Sequence, residues 1–430
     1  MNANPRHWAL QVLRQVDQRG ALVNLALQGV LPQVPPGERG LVTELVYGVM
    51  RRQRTLDAWI EGYSGRRQQM PLLRRILHLG LYQLRYLTQV PPAVAVSTSV
   101  ELAKAHHLGR LSGVVNGILR QALRDPELPL PADPVQALGV RYSYPDWLIH
   151  LWAEELPLEE VEALCQAGNQ VPHLDLRVNG WRTTREQVQA LLAQGGIATV
   201  AWGSSPVTLR VLEHHGDPAR WPGFGEGLWT VQEASAQQVV EWLDPQPGQV
   251  VVDCCAAPGG KTGHIGEKMH NQGVIYALDH HGGRLRRIQD HARRLGLTLI
   301  RPQVVELGQP DWDPVAVGLP AWGTVDRVLV DVPCSGLGTL SRHADARWRQ
   351  SPDQIAALLP LQRAILEQAQ RWLKPDGILV YATCTLNRQE NQAQIEHFCR
   401  THPHWQAETQ TLWPHRQQQD GFFIARLRPC

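Results

Sequence analysis

The chain has 430 residues, 43% hydrophobic and 19% charged, with a formal net charge of +2. That length accommodates two or three domains with a sizeable core, and no apolar run approaches the roughly 20 residues of a membrane span. Seven cysteines, an odd number without framework spacing, exclude a disulfide scaffold and point to reduced thiols in a cytoplasmic protein.

The charge is unevenly spread. Residues 1–150 hold 17 Lys+Arg against 10 Asp+Glu, a net +7, which leaves −5 for the remainder. A basic N-terminal third suits an anionic partner such as nucleic acid. The opening "MNANPRHWALQVLRQV" lacks the apolar region of a signal peptide. It predicts a helix capped by Asn4, with Pro5 in the first turn. Apolar residues then recur at helical spacing, as at Leu41, Leu45, Val46 and Val49, and again through "LLRRILHLGLYQLRYL" and "SVELAKAHHLGRLSGVVNGILRQAL". Proline-rich breaks separate these helices, and the last, "DPELPLPADP", reads as a domain linker. Residues 1–140 are therefore expected to be an all-helical domain.

Residues 141–225 are expected to be a linker and a small α/β subdomain. "LDLRVNG" and "GIATVAW" read as short strands around a helix "TREQVQALLAQ".

From residue 226 to 430, β-branched apolar runs alternate with helical stretches: "QVVVDC", "GVIYALD", "LIRPQVVEL", "VDRVLVDV" and "GILVYAT". Such alternation predicts a parallel sheet covered by helices on both faces. Ligands of such sheets sit at the carboxyl ends of the strands, where Asp253, Asp279, Asp331, Cys334 and Cys384 all fall.

The loop "DCCAAPGGKTGHI" joins the first of these strands to its helix, and three ligand readings compete for it. A P-loop fits Gly260-Lys261-Thr262 but meets Cys255 where its first glycine belongs, and the dinucleotide fingerprint G-x-G-x-x-G is absent. S-adenosylmethionine has a carboxylate for the loop and helix start, and a ribose diol for Asp279 at the end of the next strand. Zinc is disfavoured: there is no C-x-x-C pair, and Cys254 and Cys255 would point to opposite faces of a strand. Cys254 reads as packing. Near the second cysteine, Arg342, His343, Arg347 and Trp348 make a basic, aromatic loop that is either an RNA contact or a solvated surface.

"VVDCCAAPGGKT", "DVPCSG" and "YATCT" resemble the signature motifs of the RNA cytosine-5 methyltransferases. "ELVYGVMRRQRTLDAWI", "LGLYQLRYLTQVPPAVAV" and "VVNGILRQAL" resemble the NusB-like RNA-binding domain found in one branch of that family, and "DGFFIARL" resembles its final strand. The resemblance implies a NusB-like helical domain, an RRM-like middle subdomain and a Rossmann-like catalytic domain. It implies S-adenosylmethionine as cofactor and no metal. Methyl transfer would go to carbon 5 of a cytosine in 16S rRNA, before assembly of the small subunit is complete, by a monomer.

Carbon 5 of cytosine needs a thiolate on carbon 6 to become nucleophilic. The resemblance makes Cys384 that nucleophile and ties Cys334 to release of the RNA. Cys255, Ala256, Ala257, Pro258, Gly259, Gly260 and Lys261 would form the cofactor loop. Asp279 would hold the ribose, Glu306 would stand near the adenine in place of the usual aspartate, and Asp331 would contact the cofactor or the cytosine. Val332 and Thr385 stand where the family usually has alanine and serine. The same motifs would also serve a transfer RNA or another ribosomal cytosine. A non-catalytic RNA-binding assembly factor and a nucleotide triphosphatase are the rival classes.

Overall fold

The computed structural model describes residues 4–65, 68–213, 216–309 and 313–430. The chain divides into two compact units, one of Met1–Gln170 with Leu340–Arg349, the other of Val171–Thr339 with Gln350–Cys430.

The first unit is helical. Asn4 caps its first helix, Pro5–Arg19, by accepting from the Arg6 N–H, and Pro5 occupies the first turn. Helices Val23–Val30, Arg39–Ser64, Pro71–Tyr86, Pro92–Ala105 and Ser112–Arg124 follow. The apolar stripe of Arg39–Ser64 turns Val42, Leu45, Val46 and Val49 inward. The proline-rich stretch separates Arg124 from helix Pro134–Tyr142, and helices Asp146–Ala153 and Leu158–Ala167 complete the main run.

The segment Leu340–Arg349 also belongs to this unit, and at Arg347 and Trp348 it corrects the expectation of a solvated or RNA-contacting loop, while His343 stays exposed. Arg347 is fully buried. Its guanidinium donates to the carbonyls of Arg51, Ser143, Gly168 and Leu340 and to Asn169 Oδ1, and lies 4.0 Å over the Tyr144 ring. The Trp348 indole donates to the Met50 carbonyl. An arginine in sequence looks like surface. Here it satisfies acceptors that burial would otherwise leave orphaned.

Among the described residues of the second unit, eleven strands form two sheets: β1 (Leu174–Val178), β2 (Ala198–Ala201), β3 (Thr208–Glu213), β4 (Trp229–Val231), β5 (Val250–Asp253), β6 (Val274–Asp279), β7 (Ile300–Val304), β8 (Val325–Asp331), β9 (Leu373–Thr383), β10 (Trp405–Leu412) and β11 (Phe422–Pro429). The smaller sheet, β2-β3-β1-β4, is antiparallel and backed by helix Arg185–Gln194, whose Thr184–Gln187 capping box fixes its start. The sequence signals β1 and β2 but not β3. Arg210 lies inside the sheet, paired with Asp175 at 2.7 Å, and a charge in that position hides the strand's apolar pattern.

The larger sheet runs β10-β11-β9-β8-β5-β6-β7, parallel from β9 to β7 and antiparallel at β11 and β10. Alternate residues of one strand feed separate cores on its two faces. Leu329 joins one, while Val328 and Val330 join the other. That two-sided burial explains the unbroken apolar runs. Edge strand β10 is largely exposed, so its sequence lacks such a run.

Candidate active site

Strand order reverses between β5 and β8: β6 and β7 lie beyond β5 on one side, β9 beyond β8 on the other. The loops leaving β5 and β8 therefore part, and a crevice opens at their carboxyl ends. A cavity of ≈ 400 Å³ occupies it, within the usual range for small-molecule sites. Of the residues singled out in the sequence, Cys255, Ala257, Asp279, Glu306, Asp331, Cys334 and Cys384 line the cavity. Ala256, Pro258, Gly259, Gly260 and Lys261 are outside its lining. Gly259 instead ends the loop at φ 103°, a backbone angle that favours glycine, and starts helix Gly260–Lys268. Cys254 is 2% exposed and joins the core.

Fifty residues apart in sequence, Cys334 and Cys384 bring their sulfurs to 3.4 Å. The hydrogen bond with the Cys384 sulfur, together with burial, holds the Cys334 thiol well above its ordinary range. Lys261 reaches the rim through a 2.6 Å ion pair with Asp331. Behind them Asp253 accepts from the Thr262 hydroxyl at 2.7 Å, while its other oxygen is buried without a partner. Burial, opposed by that hydrogen bond and reinforced by Asp331, raises the Asp253 carboxyl to about 7.

Three residues that the motifs do not announce shape this site. Arg177 on β1 is fully buried, makes a two-point ion pair with Glu267 and donates to the Gly260 carbonyl, so the smaller sheet braces the cofactor helix. Gly338 donates its N–H to the Cys384 carbonyl at 2.9 Å and accepts from the Gly421 N–H at 2.8 Å. Glu390, also fully buried, collects donors from both cysteine loops. The available signal was the polar run Thr385, Asn387, Glu390, Asn391 directly after an apolar strand.

A mostly parallel, two-sided sheet with an acidic residue closing its second strand and a glycine loop after its first defines a Rossmann-like S-adenosylmethionine-dependent methyltransferase. The family model for 16S rRNA methyltransferase RsmB/F matches residues 240–428, the NusB family matches 3–124, and the ferredoxin-like domain of RsmF/B-like methyltransferases matches 144–216. A probable ribosomal RNA small subunit methyltransferase B of Synechocystis is 47% identical, covering 98% of this chain and 99% of that protein. The ribosomal RNA small subunit methyltransferase B of Vibrio cholerae is 36% identical over 99% and 97%. The crystal structure of PH0851 superposes with a TM-score of 0.80 at 26% identity, covering 99% of both chains. The chain belongs to the 16S rRNA methyltransferase RsmB/F family.

S-adenosylmethionine is the cofactor of this class, and the cavity suits it. Asp279 accepts from the backbone N–H groups of Ala257 and His281, at 3.3 and 3.0 Å. Two bonds use half of the roughly four acceptor sites of a carboxylate; His280 Nδ1 and Arg284 Nη1 flank it at 3.5 and 3.6 Å, beyond hydrogen-bond reach, which leaves acceptor capacity for a ribose diol. Glu306 adds an exposed carboxylate on the same wall. The start of helix Gly260–Lys268, next to this loop, favours a carboxylate.

Proposed function

We propose that this chain methylates carbon 5 of an unpaired or extruded cytosine of 16S rRNA, with Cys384 as nucleophile and Cys334 serving release. The observation that supports this most is the 3.4 Å thiol pair on the wall of the cofactor cavity. The Cys384 hydrogen bond and burial hold the Cys334 thiol above its ordinary range, and the nucleophile role goes to Cys384, at the end of β9, by its place in the family motif. It adds to carbon 6, and the ring's double-bond electrons move to carbon 5. Bound S-adenosylmethionine would supply the methyl group to that carbon, its sulfur keeping the S–CH3 electron pair so that S-adenosylhomocysteine is the leaving group. The carbon-5 proton then passes to a water molecule as base, its electron pair reforms the double bond, and the Cys384 sulfur departs as thiolate with the carbon 6–sulfur pair. Cys334 assists that elimination. The Lys261–Asp331 pair offers a cation and an acceptor to the cytosine edge or the cofactor. A base must leave its stack to reach these groups, which favours RNA in a partly assembled subunit. The basic helical unit would supply salt-sensitive affinity, and the chain would act as a monomer.

The test mixes wild type, Cys334→Ala and Cys384→Ala with S-adenosylmethionine and unmodified small-subunit rRNA, followed by a denaturing gel and mapping of the methylated base. Cys334→Ala should accumulate a protein–RNA band, and Cys384→Ala should neither methylate nor form one. Clean turnover by Cys384→Ala sinks the assignment. Methylation of transfer RNA but not rRNA by wild type moves the substrate.

A further inference from the structure

We propose that Glu390 is the positioning residue that sets the two active-site thiols against each other; the proposal rests on the assignment of Cys334 and Cys384 just made. Two loops deliver those thiols. One follows β8 and carries Cys334 and Ser335, and the other follows β9 and carries Cys384, Thr385 and Asn387. Nothing in the parallel pairing of β8 with β9 fixes what happens beyond their ends, where the register stops at Asp331 and Ala382.

Backbone bonds from Val332 to Ala382 and from Gly338 to Cys384 tie the two segments at their ends, and Glu390 ties the residues next to the two thiols. One carboxylate oxygen accepts from the Ser335 N–H at 2.9 Å and from Gln362 Nε2 at 3.1 Å. The other accepts from the Ser335 hydroxyl, from Thr385 Oγ1 at 3.3 Å and from Asn387 Nδ2 at 3.3 Å. The Ser335 and Thr385 hydroxyl oxygens also lie 2.7 Å apart, so the single Thr385 proton is shared between Ser335 and Glu390, and Gln362 Nε2 reaches the Pro333 carbonyl at 3.0 Å. Glu390 itself is anchored, because the Tyr381 hydroxyl donates to its carbonyl at 2.7 Å. Each donor side chain is no more than 2% exposed. Acceptor-only oxygens that draw the Ser335 N–H, the Ser335 hydroxyl and Asn387 Nδ2 from the two loops tie those loops to one carboxylate. Ser335 adjoins Cys334 and Thr385 adjoins Cys384, so the carboxylate acts on the reaction through its neighbours and not by touching substrate.

The experiment uses the full chain and three readouts: S-adenosylmethionine affinity by equilibrium dialysis, the rate of adduct formation in a Cys334→Ala background, and iodoacetamide alkylation rates of Cys334 and Cys384 by mass spectrometry without RNA. Glu390→Gln keeps the volume and replaces one acceptor by a donor. It should leave cofactor affinity within roughly threefold, slow adduct formation about 100-fold, as misplacement of reacting groups by about 1 Å does, and shift the ratio of the two alkylation rates. Asn387→Ala and Ser335→Ala each release one loop and should move the readouts the same way by less, so they decide the matter if Glu390→Gln does not fold. Adduct and alkylation rates within roughly threefold of the parent in all three variants, or a loss of activity matched by lost cofactor binding, would overturn the proposal. If alkylation shifts as expected while Cys334→Ala forms no adduct, the positioning role stands and the adduct chemistry falls.

Discussion

Lys261 and Asp331, on the segments that follow β5 and end β8, are joined by a 2.6 Å ion pair at the rim of the cofactor cavity. Burial works against the Lys261 ammonium, but the Asp331 charge and hydrogen bond outweigh it and hold the lysine above its ordinary range. Asp331→Asn removes the opposing influence and leaves burial. The lysine then loses its proton at lower pH, and the alkaline limb of the pH–rate profile moves down. Turnover should fall about 100-fold, as for loss of an oriented charge in a site, and initial rates from pH 6 to 10 would show both effects.

Gly338 is pinned between the Cys384 carbonyl and Gly421. A Cβ added to it would stand 2.0 Å from the Gly421 carbonyl oxygen and 2.9 Å from that of Cys384. Backbone cannot step aside as a side-chain tip can. Gly338→Ala is expected to cost about 1–3 kcal/mol, the usual range for overpacking, and to abolish adduct formation. Urea unfolding combined with the denaturing gel would check it.

Asp253 ties stability to pH in an unusual direction for a carboxylate. Its folded value, about 7, lies above the ordinary 3.8. Its contribution is fully present below the ordinary value and is lost as pH rises through about 7. At 1.4 kcal/mol per unit the loss reaches at most about 4 kcal/mol. Asp253→Asn should flatten the fall in melting temperature between pH 5 and 8. Parallel curves for the two proteins would contradict it.

The strands of the larger sheet were legible because burial on both faces writes continuous apolar runs, and the rim was legible because Asp253, Asp279, Asp331 and Cys384 stand where those runs stop. What stayed hidden was charge placed inside. Arg177, Arg210, Arg347 and Glu390 look like surface residues in a sequence, since no local pattern reveals the distant partner that makes burial tolerable. Asp175 is 35 residues from Arg210, and Glu267 is 90 from Arg177. Gly338 was equally silent, because what it needs is room and not a side chain.

Arg347→Met should destabilise the helical unit by about 3–5 kcal/mol, as expected when a buried charged group leaves its partners unsatisfied. Arg347→Lys should recover little, since a single ammonium cannot serve the acceptors that the planar fork reaches. Denaturant midpoints of the three proteins would decide this.

The placement of Leu340–Arg349 has a consequence for how the chain is made. Translation delivers domains N-terminal end first, and each usually folds as it emerges. Here the helical unit emerges early with a gap beside Tyr144 and with the carbonyls of Arg51, Ser143 and Gly168 waiting for donors. Its last piece arrives 170 residues after Gln170, when most of the cofactor-binding strands have already been synthesised. The first domain to begin folding is thus not the first to finish, and a fragment cut at Gln170 would be born incomplete.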